Sequence, residues 1–277
     1  MKDSLENRPV VDRDLIKLYS IYSVSGTDGE KEICDWICSK LDEMGKEYER
    51  VDNSIYSFSG ENTVMLSAHL DQVETNGKAE HFYRTPEGSI IAYNKNWQRT
   101  SLGADDKNGV WIILKLLEEG YDFDFIISES EEVGCVGIKK LESIIPMSTA
   151  EICIVLDRRG NFDILNKGGG TNYCQALAHN LKNFWKDGFT VTTGSLSDTQ
   201  TICKYIESVN MSVAYHDPHT SKESTDYDRL VEIKENLIEV VLGDFIHYPA
   251  SPKDYEDTYT ESSWRNSWKN SYYKGAY

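Results

Sequence analysis

The chain reads as an α/β protein with a mostly parallel mixed sheet and helices on both faces. Short apolar runs of strand length alternate with longer segments of helical period. Glycines stand where the helical segments stop, at Gly45 and Gly120. Strands separated by helices build a sheet with crossover connections. The 277 residues are 39% hydrophobic and 27% charged, a globular balance that excludes wholesale disorder. A net charge of −17 repels phosphate, so neither nucleic acid nor an anionic membrane is an expected partner.

Each element has its own signal. Residues 11–22 place Leu15, Leu18, Ile21 and Tyr22 at helical spacing, and a turn over 25–29 follows. Residues 30–44 form an amphipathic helix closed by Gly45, and 64–68 a short apolar strand. A helix over 106–119 stops at Gly120. Further strands are expected at 123–128, 152–156 and 211–215, core segments at 161–165 and 189–193, and helices at 196–206 and 226–246. Gly168-Gly169-Gly170 is either a plain turn or a close backbone approach to a ligand. No apolar run reaches the ~18 residues of a membrane span. The first residues lack the apolar core of a signal peptide, so a cytoplasmic protein is expected. The six cysteines form no CxxC pair and read as reduced, mostly buried thiols, with Cys34 and Cys38 sharing a helix face as core packing. Residues 251–277 hold five Tyr and two Trp but no Leu, Ile, Val, Met or Phe. Such a segment builds no core, so it is expected to be an extension, draped or mobile, beyond a single domain over 1–250.

Four of the apolar runs end in residues that bind metals. The 64–68 run ends in His69-Leu70-Asp71, and the 123–128 run leads to Glu131-Glu132. The 152–156 run ends in Asp157, and the 211–215 run leads to His216-Asp217-Pro218-His219. A fifth group, Gly103-Ala104-Asp105-Asp106-Lys107-Asn108-Gly109, opens the 106–119 helix. Each alone is weak: an HxD triplet is common, and Asp-Asp at a helix start is often a cap. Their conjunction is informative, because in open α/β sheets the carboxyl ends of the strands form the ligand crevice. His81, His179 and His247 read as surface or structural residues.

In their order these motifs resemble the co-catalytic zinc exopeptidases, a clan that includes peptidase T, bacterial zinc aminopeptidases and aminoacylases. The carriers are His69-x-Asp71, Gly103-Ala104-Asp105-Asp106-Lys107-x-Gly109, Glu131-Glu132-x-Gly134, Asp157 and His219-Thr220-x-x-Glu223. Gly-Ala-Asp-Asp-Lys is most similar to peptidase T, and Ser25-Gly26 before an acidic helix also resembles the clan. The likeness covers about residues 11–246 and implies a three-layer sandwich.

The resemblance implies two divalent ions, Zn²⁺ with Co²⁺ or Mn²⁺ as substitutes. They would be held by His69 and Asp157 on one side, Glu132 and His219 on the other, with Asp105 shared. Two such ions share a hydroxide, acidify it and polarise a scissile carbonyl. Charges balance: +4 from the ions against Asp105, Glu132, Asp157 and the hydroxide, and neutrality matters because buried charge is costly. Glu131 would be the free carboxylate that takes a proton from water and passes it to the leaving amine. Asp71 would fix the His69 tautomer. Asp106 would bind no metal, and the bond before it would be cis. His216 competes with His219, but His219-Thr220-x-x-Glu223 matches the clan's pattern.

The chain departs from peptidase T, which carries a lid domain between the equivalents of Asp157 and His219. Only 61 residues separate them here, so no inserted lid domain is expected. The function implied is hydrolysis of short peptides, as an aminopeptidase. The alternatives are an N-acyl-amino-acid amidohydrolase or a carboxypeptidase or dipeptidase on the same metals, and a non-catalytic binding protein. Arg158 and Arg159 would favour a carboxylate-reading enzyme unless they pair with surface acids, the reading preferred here.

Overall fold

The computed structural model describes residues 10–243, apart from 187, together with residue 245. The expected extension at 251–277 and His247 lie outside the described residues. Along the chain, α1 (Arg13–Ser20) and α2 (Asp28–Met44) precede β1 (Glu49–Val51), β2 (Ser54–Ser57) and β3 (Val64–His69). Next come β4 (His81–Arg84), β5 (Ser89–Tyr93), β6 (Arg99–Thr100), α3 (Ala104–Glu118), β7 (Asp124–Ser128), α4 (Val136–Leu141) and β8 (Ile152–Arg158). Then follow β9 (Asp163–Gly168), β10 (Thr171–Asn172), α5 (Gln175–Trp185), β11 (Thr190–Gly194) and α6 (Thr199–Ile202). The last are β12 (Glu207–Ser212), β13 (Tyr215–His216), β14 (Ser224–Asp226) and α7 (Tyr227–Val241).

The main sheet has the order β1-β2-β7-β3-β8-β12-β9-β10, with β11 on β9. Its centre, β7-β3-β8-β12, is parallel, and β2 and β9 flank it antiparallel. The alternation along these strands sorts two faces. Val64, Leu66, Phe125, Ile127, Ile154 and Leu156 join one core, shared with α1, α2, α3, α5 and α7. Met65, Ile126, Cys153 and Val155 join a second, under α4 and α6. A strand buried on both faces has no polar side to show, which is why 152–156 reads as an unbroken apolar run and 64–68 as one interrupted only by Ser67. The architecture is thus the expected three layers.

Local chemistry fixes the ends. Asp12 caps α1 by accepting from the N–H groups of Asp14 and Leu15, and Gly45 ends α2 in the left-handed region (φ 68°). Gly169 and Gly170 both have positive φ and join β9 to β10, so the glycine run is a plain hairpin turn.

Three expectations need correction. The strand over 211–215 is two pieces: β12 stops at Ser212, and the chain turns at Ala214 (φ 63°) into β13 of another sheet. The helix over 196–206 is regular only at Thr199–Ile202, where the Ser197 hydroxyl captures the Thr199 N–H. The helix over 226–246 ends at Val241, ahead of Gly243 in the left-handed region (φ 80°). A second, antiparallel sheet, β13-β14-β5-β4 with β6 on β5, was not foreseen. Its strands are short, half-buried and rich in His, Tyr, Arg and Ser.

Between Asp157 and His219 lie β9 to β13, and β9, β11 and β12 all pair within the main sheet. No separate lid unit is found there among the described residues. Among these residues no helix is long and apolar enough to cross a membrane.

Candidate metal centre

The parallel strands β3, β7 and β8 all deliver charge at their carboxyl ends. His69 is the last residue of β3, and Asp157 is near the end of β8. His69 Nε2 stands 3.3 Å from Asp105 Oδ1 and 3.7 Å from Asp157 Oδ1. His219 Nε2 stands 3.0 Å from Asp105 Oδ2 and 2.9 Å from Glu132 Oε1. The two oxygens of Asp105 therefore face different histidines. The ligand atoms of His69, Asp105 and Asp157 lie within 4.8 Å of one another, as do those of Asp105, Glu132 and His219. His216 is elsewhere, with Nε2 3.1 Å from Asn161 Oδ1.

These donors suit divalent cations. Glu132 Oε1 is buried and makes no aligned hydrogen bond, although His219 is close. For ligands ~2.0–2.2 Å from one tetrahedral ion, neighbouring donors sit about 3.3–3.6 Å apart, the spacing around His69. Two imidazoles and three carboxylates form the donor set of zinc, cobalt or manganese sites.

The electrostatics match a site built for cations. Burial opposes a charged His69, yet Asp105, Asp157 and Asp71 outweigh it and hold its pKa well above the ordinary range. Hydrogen bonding to Asp105 and Glu132 pushes His219 up to about 10. Burial raises Asp157 to about 7 and Glu131 to about 9, the latter aided by Asp157, Asp198 and Glu132. The carboxyl of Glu131 accepts from the Cys135 thiol (3.4 Å) and forms no ion pair with a histidine among the described residues.

The strand-to-helix loop that presents Asp105 is tightly determined. The Asp105–Asp106 bond is cis. Asp106 is fully buried and turned away, accepting from the N–H groups of His69 (3.2 Å) and Gly109 (3.1 Å). A side chain at Gly109 would meet Leu156 O at 2.5 Å, so the motif requires glycine there. Lys107 is fully buried and donates to Ile21 O (2.6 Å) and Gln72 Oε1, and burial lowers it to about 7.

Asp71 has a wider role than expected. Its Oδ1 is 3.3 Å from His69 Nδ1 without hydrogen-bond alignment. Its aligned donors are Glu131 N (2.9 Å), Glu132 N (3.2 Å) and Ser25 Oγ (2.6 Å).

Several supporting residues escaped the sequence reading. Glu223 appeared there only as part of a motif. Here it accepts from Ser101 Oγ (2.7 Å), Gly103 N (2.7 Å), Ala104 N (3.2 Å) and Asp105 N (3.3 Å). Glu30 accepts from Ser130 N (2.7 Å) and Gly26 N (2.6 Å). Asn210 brackets the Asp157 backbone, and the Tyr215 hydroxyl donates to Asp157 Oδ1 (3.2 Å). A buried carboxylate is the shared signal, legible only once its distant partners are known. Arg158 pairs with Asp163 (3.0 Å), an acid partner of the kind expected, although its side chain is largely covered. Arg158, Arg159, His216 and Asp217 line a cavity of about 400 Å³.

No protein-family model matches the chain, and no curated protein matches it in sequence. Among solved structures it is similar to aminopeptidase PepT from Bacillus cereus, with a TM-score of 0.66 at 17% identity, covering 82% of this chain and 96% of that one. A tripeptidase from Staphylococcus aureus gives 0.66 at 15% identity, covering 82% and 95%. An aminopeptidase from the archaeon Desulfurococcus kamchatkensis gives 0.59 at 17% identity, covering 87% and 95%. At these identities the likeness is one of architecture: this chain has the α/β fold of the aminopeptidases that its motifs resemble.

Proposed function

We propose that the chain is a two-metal exopeptidase that removes N-terminal residues from short peptides. The observation that carries this is Asp105, whose two oxygens each face a different histidine-carboxylate group, with Glu131 left beside them. His69, Asp105 and Asp157 would hold one divalent ion, and Asp105, Glu132 and His219 the other, with Zn²⁺ as the preferred metal and Co²⁺ or Mn²⁺ as substitutes. When bound, such ions acidify a water and polarise the substrate carbonyl. The chain's residues supply the rest. Glu131 accepts the water's proton on its carboxylate and returns it to the nitrogen of the departing amine. Asp71 fixes the backbone of Glu131 and Glu132, and so the direction in which both carboxyls point. Residues 1–250 form the catalytic domain in this reading, and 251–277 an extension.

The end of the substrate that is read follows from charge. The crevice is lined by carboxylates, which suits a free α-amine. The structural neighbours named as aminopeptidases and tripeptidase support this assignment. The assay compares one tripeptide, free, N-acetylated and C-amidated. Aminopeptidase action predicts that acetylation abolishes cleavage and amidation leaves it. The opposite pattern would assign a carboxylate-reading enzyme anchored at Arg159 and the adjoining cavity.

A further inference from the structure

Behind Glu131 lies a cluster that the two metal groups do not use. The turn after β7 folds back so that Gly134 N and Cys135 N both donate to Glu131 O (2.8 Å each). Cys135 adopts φ 55° and is 2% exposed, with its Sγ 3.4 Å from Glu131 Oε1. Asp198, in the loop before α6, is also 2% exposed. One of its oxygens accepts from the Ser128 hydroxyl, while Oδ1 is buried without a hydrogen-bond partner. Ligand atoms of Glu131, Cys135 and Asp198 all lie within 4.8 Å of one another.

We propose that Glu131, Cys135 and Asp198 form a third cation site, selective for soft divalent ions, that switches the proposed peptidase off. Zn–S of ~2.3 Å and Zn–O of ~2.0–2.2 Å at a tetrahedral angle put sulfur and oxygen about 3.5 Å apart, the spacing already present between Cys135 and Glu131. The orphaned oxygen of Asp198 supplies the third donor. On binding, the thiol gives its proton to solvent and the thiolate takes the ion. Sulfur favours Zn²⁺, Co²⁺ or Cd²⁺ over Mg²⁺ and Ca²⁺. A Glu131 carboxylate bound to a cation shares its charge with the ion and becomes too weak a base for the water's proton, so occupancy stops turnover. The inhibitory part rests on the peptidase reading; the binding part does not.

Thiolate ligation separates the two. Neither group around Asp105 contains cysteine, so a thiolate-to-cobalt charge-transfer band that depends on Cys135 reports this site. The full chain, stripped of metal, is titrated with Co²⁺ in the near ultraviolet. The band should appear in the wild type after the first two equivalents. It should vanish in Cys135→Ala and need at least ~10-fold more Co²⁺ in Asp198→Asn. In the peptide assay, excess Zn²⁺ should inhibit the wild type, and Cys135→Ala, scored against its own turnover at two equivalents, should need ~10-fold more Zn²⁺ for the same fractional inhibition. A missing band in the wild type, or one that survives Cys135→Ala and so belongs to Cys34, Cys38 or another thiol, overturns the site. A band that behaves as expected with no peptide turnover at any metal level would refute the peptidase reading and the switch while leaving the site in place.

Discussion

Replacing Glu223 tests how the shared carboxylate is held. Glu223 is 1% exposed and accepts from one hydroxyl and from the backbone N–H groups of Gly103, Ala104 and Asp105. Hydrogen bonds to a charged acceptor contribute about 1.5–3 kcal/mol each, and a buried N–H left without a partner costs about 1–3 kcal/mol. The four are not additive, so Glu223→Ala should destabilise the metal-free chain by about 3–5 kcal/mol, the scale of breaking a buried charged network. At ~2–4 °C per kcal/mol for a domain of this size, the melting temperature should fall by roughly 6–20 °C. Glu223→Gln keeps one acceptor oxygen but turns an NH₂ toward backbone donors, and should cost about 1–3 kcal/mol. Because one of the freed donors is Asp105 N, metal affinity should fall as well, by ~10–100-fold. Urea unfolding and metal titration on the same samples measure both. A Glu223→Gln protein with unchanged stability and unchanged affinity would refute the claim that this residue sets the Asp105 loop.

Other outcomes follow from the same geometry. Elemental analysis should find metal lost in His219→Ala and retained in His216→Ala, whose ring faces Asn161. Glu131→Gln should fold, keep its metals and lose nearly all turnover, because an amide cannot accept the water's proton. In the metal-free chain, His219 (about 10), Asp157 (about 7) and Glu131 (about 9) all hold protons more tightly folded than unfolded. More protons bound in the folded state means that the stability these three groups contribute falls as pH rises from about 4 to about 10, while Lys107, lowered to about 7, opposes them only above about pH 7. Asp105 and Asp71 are shifted downward, so they act only in more acid solution. Metal must displace the protons on the ligands His219 and Asp157, so the rise in melting temperature on adding Zn²⁺ should grow with pH across this window. A rise that is flat or shrinks with pH would contradict the proposed ligands.

Most of the central sheet was legible because strands such as Val64–His69 are buried on both sides and therefore mostly apolar. Each strand also carries its chemistry at the next residue or two, which made His69 and Asp157 visible. The second sheet was hidden because strands such as His81–Arg84 are half-exposed and mix aromatic with charged residues. The start of β12 was hidden by Glu207, Ser208 and Asn210. Ser208 and Asn210 are buried, yet they read as loop residues until their partners Ile206 O and Asp157 O are seen. Glu223 and Asp198 are the same problem at the site, since a polar residue shows its burial only through contacts distant in sequence.

Asp71 shows what that long-range bonding adds to a motif read locally. The HxD pattern implies a carboxylate that orients one histidine, which would touch one metal group only. In the structure the aligned bonds of Asp71 go to the N–H groups of Glu131 and Glu132 and to Ser25, while His69 Nδ1 sits 3.3 Å away. The carboxylate thus ties the end of β3 to the loop after β7, and with it the proposed ligand His69 to the proposed ligand Glu132 and the proposed base Glu131. Asp71→Asn replaces one acceptor oxygen with a donor facing these N–H groups, so both metal groups should loosen together. Stepwise calorimetric titration with Zn²⁺ should show both binding constants weakened, by ~10–100-fold, and turnover reduced further than metal loss alone explains. Ser25→Ala, which removes one donor and leaves the backbone bonds, should have a much smaller effect. If Asp71→Asn weakens a single binding step and leaves the other unchanged, Asp71 acts only on His69, and the two halves of the site are held independently.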